Sequence, residues 1–94
     1  MTEVWVFTGE RNMPSNHTIF PGGVFSTQER AEAWISNHKL SGVLTQYQVD
    51  VRAYDFAVTN GHFKPNRPHH YTSEFIGRFS GGEIHFHYVA GLRE

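Results

Sequence analysis

Apolar residues in this chain come in short runs of two kinds. From Glu3 to Thr8, Val4, Trp5, Val6 and Phe7 follow one another without interruption. A β-branched and aromatic run of this kind suits a strand covered on both faces. From Val43 to Val51 the pattern alternates, with Val43, Thr45, Tyr47, Val49 and Val51 on one side and Gln46, Gln48, Asp50 and Arg52 on the other. That is the signature of a half-buried strand, and it places the valines and Tyr47 inward. Glu83 to Val89 alternates too, with Ile84, Phe86 and Tyr88 opposed to His85 and His87. Val24 and Phe25 form a shorter return strand after a turn-rich connection, Gly9 to Gly23, in which Thr18 to Phe20 extends a strand edge.

Helical periodicity begins directly after Phe25. Ala31, Trp34, Ile35 and His38 fall on one face that can lie on a sheet. Ser26 is the expected N-cap, with Glu29 placed to complete a capping box, and the helix is expected from Thr27 to Leu40 with Gly42 available to stop it. A second helix is expected from Ala53 to Asn60, with Ala53, Ala57 and Val58 inward and Asn60-Gly61 as its cap. His62 to Tyr71 carries Pro65 and Pro68 and reads as an extended surface loop. Thr72 or Ser73 can cap a short helix through Phe75, Ile76 and Phe79 that ends at Ser80-Gly81-Gly82, and Ala90 to Glu94 reads as a loose tail. The sum is an α+β chain, 1–94 forming a single compact domain, with a mixed or antiparallel sheet of about four strands and two or three helices packed on it.

Composition narrows the function classes. With 94 residues and eight Phe, four Tyr and two Trp, the chain can build one ring-rich core. It has no cysteine, which excludes disulfides, thiolate metal sites and cysteine nucleophiles. Eight basic against nine acidic residues argue against a nucleic-acid binder, which needs a basic excess. No apolar run is long enough to span a membrane and no leader pattern opens the sequence, so the expected setting is the cytoplasm.

Candidate chemistry rests mainly on the seven histidines. His85 and His87, at i and i+2 on a strand, point the same way and can offer two ligands to zinc or another divalent ion. A third would have to come from His62, His69, His70, Glu74 or Glu83. The competing reading is a plain polar sheet face. His69 and His70, with Lys64, Arg67 and Arg78, can form a cationic patch or an ordinary solvated loop. Phe63 and Tyr71 are candidate partner-binding residues, since so many rings cannot all be buried in so small a chain, against the alternative of a core unusually rich in rings; His69 and His70 join them through the cationic patch. No serine lies in a nucleophile elbow and no glycine pair can cradle a nucleotide. No catalytic residue and no cofactor are therefore expected.

The pattern Val4-Trp5-Val6-Phe7, Gly23-Val24-Phe25-Ser26, Ala31-Glu32-Ala33-Trp34-Ile35 and Tyr54-Asp55-Phe56-Ala57, closing on His87-Tyr88, resembles a family of small uncharacterised bacterial proteins, a domain of unknown function. The resemblance covers nearly the whole chain and implies a shared fold. It implies no activity and no functional residue. The expected role is a non-catalytic protein-binding or accessory domain, immunity-like or homodimeric. The alternative is a metal- or small-ligand-binding protein built on the histidine-rich strand and loop.

Overall fold

A computed structural model describes residues 3–10, 20–79 and 83–94. The elements run β1 (Glu3–Gly9), β2 (Gly23–Phe25), α1 (Gln28–Asn37), β3 (Gly42–Gln48), α2 (Ala53–Thr59), a 3₁₀ turn (Pro68–Tyr71), α3 (Ser73–Arg78), β4 (His85–Val89) and β5 (Leu92–Arg93). The fold is α+β, and its strands form one antiparallel sheet in the order β2-β1-β3-β4-β5. The chain divides into two compact units, Met1–Val49 with Ile84–Glu94, and Asp50–Glu83.

The first unit is the sheet with α1 on one face. Thr27 caps α1, its Oγ1 accepting from the Arg30 N–H at 3.1 Å. The cap therefore falls one residue later than Ser26. The third helical position becomes Arg30, which has no carboxylate to return the bond, so Glu29 completes no capping box. At the other end Lys39 adopts a left-handed φ of 53° and the Leu40 N–H reaches the Ile35 carbonyl at 3.0 Å. This closure, and not Gly42, ends the helix, and it turns His38 out to the surface instead of onto the inner face. Trp5, Phe7, Ala31, Ile35, Leu44 and Tyr88 form the core, with Phe25, Trp34, Leu40 and Phe86 packed against it. The Trp34 ring meets Phe7 edge-on at 5.6 Å and Phe25 at 5.4 Å. Full burial of Ile35 and Leu44 stabilises the unit by roughly 1.5–3 kcal/mol each.

β3 alternates, but it ends at Gln48, short of the expected Val51, and its inward side is the opposite one. Register decides this: Phe7 lies opposite Leu44 and Trp5 opposite Gln46, so Leu44 and Gln46 share the face covered by α1. Val43, Thr45 and Tyr47 take the other face and are only half-buried. The chain end is also ordered. Ala90 and Gly91 have φ of 51° and 87°, the left-handed pair that a two-residue hairpin turn requires, and β5 returns along β4 with Val89 opposite Leu92. The turn is held by the Ala90 N–H on Ser41 Oγ and the Gly91 N–H on the Leu40 carbonyl, at 2.9 and 2.8 Å.

The second unit has its own small core around Tyr54 and Ala57 of α2, while Val58 faces outward. Asn60 and Gly61 end α2 as the sequence predicts, Gly61 at a φ of 76°. The proline-bearing stretch after it is not simply extended, because Pro68 opens the 3₁₀ turn. Thr72 caps α3, its Oγ1 accepting from the Phe75 N–H at 3.2 Å. Thr18, at the expected strand edge, and Ser80-Gly81-Gly82, at the expected helix break, lie outside the described residues, and Phe20 is in no strand.

Candidate functional surface

The sheet has two chemically different faces. Toward α1, Tyr88 donates to Glu32 Oε2 at 2.5 Å, and that same oxygen accepts from Gln28 Nε2 at 3.3 Å and lies 3.6 Å from Arg93. Arg93 also lies over the Phe86 ring, 4.7 Å from its centroid. Burial raises the Tyr88 phenol above its ordinary range, and the hydrogen bond and charge of Glu32 raise it further. These groups satisfy one another and form a structural clasp between α1, β4 and β5.

The opposite face follows from the register. Val24 pairs with Val6, Val6 with Thr45 and Thr45 with His85 in one row across the sheet. Thr8, Val43 and His87 form the next row, Val4 and Tyr47 another, and Val89 stands beside Leu92. None of these positions carries Asp, Glu, Lys or Arg. Val24 at one edge of this face, and Val89 with Leu92 at the other edge, are 63%, 52% and 73% exposed. At one end of this face lies a shallow hollow of about 430 Å³, with Val43 and Val89 as apolar lining, Thr8, Thr45 and His87 as polar groups, and Glu10 and Glu94 as its charged members.

His85 and His87 sit on this face with ring centroids 5.2 Å apart, as their spacing requires. Among the described residues, no group of three or more His, Asp or Glu side chains is arranged to hold a metal ion.

The other candidates lie in the second unit and divide by role. Phe63 packs on Phe75 and Phe79 at 5.7 and 5.0 Å and contacts Tyr54 at 5.9 Å, so it belongs to the local core. His70 is half-buried between Phe63 and Phe75, 5.0 Å from each ring. Its Nδ1 accepts from the backbone N–H of Asn66 at 3.1 Å and of Arg67 at 3.3 Å. Burial lowers its pKa from 6.5, and the neighbouring His69 and Arg67 lower it further. Tyr54 donates to the His70 carbonyl at 2.9 Å; burial raises its phenol, as do Tyr71 and Asp55. His69 and Tyr71 are exposed. His69 lines a hollow of about 440 Å³ with Thr72, Glu74, Phe75, Arg78 and Phe79.

Sequence reasoning missed Glu10, Glu94, Val24 and Leu92 as members of one surface. The signal was present in their alternate positions, but it becomes readable only once the strand order is known.

An antiparallel sheet covered by a helix on one face, with strand rows free of Asp, Glu, Lys and Arg on the other, defines an α+β fold. The chain belongs to the family described as Domain of unknown function (DUF7710), whose model matches residues 4–94. No curated protein and no solved structure matches it.

Proposed function

We propose that this protein is a non-catalytic binding or accessory module, cytoplasmic in setting, that holds a protein partner on the sheet face opposite α1. The supporting observation is the absence of Asp, Glu, Lys and Arg from the rows running from Val24 to His85 and from Thr8 to His87, together with the exposure of Val24, Val89 and Leu92. Apolar patches of this kind on folded domains are characteristic of interaction surfaces. Glu10 and Glu94 in the adjoining hollow favour a partner that brings a Lys or Arg side chain to an otherwise apolar contact. A second copy of this chain is the competing occupant.

The test is capture from host lysate at low and high salt, with wild type beside Val24→Glu/Leu92→Glu and Glu10→Gln/Glu94→Gln. A partner recovered near stoichiometry by wild type, lost with the first variant and made less salt-sensitive by the second, supports the reading. A partner that binds all three alike removes it. Sedimentation of the purified protein separates self-association from capture of another protein.

The second reading, a divalent-ion site on His85 and His87, is favoured by their 5.2 Å ring separation on one face. Zinc titration followed by thermal melting tests it. A zinc-induced shift that disappears in His85→Ala/His87→Ala supports the site, and an unchanged shift removes it.

A further inference from the structure

We infer that His70 is an acid-sensitive latch: its neutral ring locks the turn from Asn66 to Tyr71 onto the aromatic cluster of the Asp50–Glu83 unit, and protonation releases it. Two backbone donors, Asn66 N–H and Arg67 N–H, converge on one acceptor, Nδ1. Only an imidazole with its proton on Nε2 can accept there; the imidazolium donates from both nitrogens and would oppose an N–H to two others. The ring is half-buried between Phe63 and Phe75, so its charging both breaks the two bonds and sets an imidazolium against the aromatic cluster, while the amides it releases lie at the surface, open to solvent.

The same residue is fastened by its backbone. Its N–H reaches the Arg67 carbonyl at 3.0 Å, and its carbonyl receives the Tyr54 phenol. Burial and the groups on its own turn favour the neutral state, and the carboxylates on the neighbouring helices are the groups that would favour the charged one. On the turn, His69 lies 4.4 Å away ring to ring, and Arg67 carries a fixed positive charge. From α2 comes the neutral Tyr54 phenol, with Asp55 beside it in sequence. From α3 comes Phe75, while Glu74 and Arg78 of that helix line the hollow next to His69. The folded turn therefore prefers the neutral ring, and lowering the pH through the histidine range withdraws that preference.

The test is residue-resolved NMR on the full chain between about pH 8 and 5. In wild type, protection of the Asn66 and Arg67 amides, corrected for intrinsic exchange, should fall severalfold, in step with the His70 ring signals, while α1 amides hold. His70→Asn, whose Oδ1 can occupy the place of Nδ1 without titrating, should give a flat profile, and His69→Gln should remain sensitive. Wild-type protection that does not change with pH, or a His70→Asn protein that opens in acid as wild type does, overturns the latch. If His70→Asn does not fold, the wild-type ring decides. An Nε2–H tautomer titrating together with the Asn66 and Arg67 amides supports the latch. An Nδ1–H tautomer, or a titration that leaves those amides unmoved, overturns it.

Discussion

Tyr88 and Glu32 are joined across the layer between sheet and helix by a hydrogen bond of 2.5 Å, although they stand 56 residues apart in the chain. Tyr88 is 4% exposed, so its hydroxyl depends on this carboxylate. Tyr88→Phe should therefore lower stability by about 1.5–3 kcal/mol, the range for a hydrogen bond to a charged group. The lower end is expected, because Glu32 keeps Gln28 and Arg93. Urea unfolding of wild type, Tyr88→Phe, Glu32→Gln and the double variant measures the coupling directly.

The same pair sets the alkaline limit. The Tyr88 phenol is raised from its ordinary 10.0 by burial, by the hydrogen bond to Glu32 and by that carboxylate's charge. The folded state holds the proton longer than the unfolded chain does. The stabilisation is therefore whole below about pH 10 and is lost as the pH rises beyond it. Unfolding free energy followed across that range should fall more steeply in wild type than in Tyr88→Phe. Equal slopes would remove Tyr88 as the cause.

Two glycines should respond in opposite directions to alanine. At Gly42 a Cβ would stand 2.8 Å from the Phe7 ring and 2.9 Å from Gly9 Cα, with the Thr8 carbonyl closer still, so the β1–β3 ladder must shift. Gly42→Ala should cost about 1–3 kcal/mol as overpacking. At Gly77, inside α3, a Cβ meets nothing within 4 Å. Gly77→Ala should stabilise that helix by about 0.5–1 kcal/mol. Amide exchange in α3 reads the gain even where global unfolding does not.

Core and open face should separate cleanly under truncation. Ile35→Ala and Leu44→Ala, both at fully buried positions, should each cost about 2–5 kcal/mol. Val24→Ser and Leu92→Ser, at mostly exposed positions, should stay within about 0.5 kcal/mol in the isolated protein. Denaturant midpoints give both numbers. A large loss at Val24 or Leu92 would mean that the face is packed in solution.

The elements themselves were legible because their signals are local. The run Val4 to Phe7, the helical spacing from Ala31 to Ile35 and the Asn60-Gly61 stop all act over a few residues. What was not legible depended on partners distant in sequence. β3 carries apolar groups on both sides, and only its pairing with Phe7 decides that Leu44 goes inward. β5 was hidden because Ala90 in a left-handed turn is not an expected residue there, and its support comes from Ser41 and Leu40. On the candidate surface, the spacing of His85 and His87 gave their common side, but nothing near them in sequence gave the valines of β1, β2 and β3 that share it. Among the four ring residues expected to meet a partner, Phe63 and His70 turned inward because Tyr54, Phe75 and Phe79 gather around them.

The sheet unit is discontinuous, built from Met1–Val49 and completed by Ile84–Glu94, with Asp50–Glu83 threaded between them. During synthesis β1, β2, α1 and β3 leave the ribosome with one long side of β3 unpaired and Glu32 without its phenol. A whole second unit must emerge before β4 can close that edge. Until β4 arrives from across that unit, the second edge of β3 is an unpaired template for other strands.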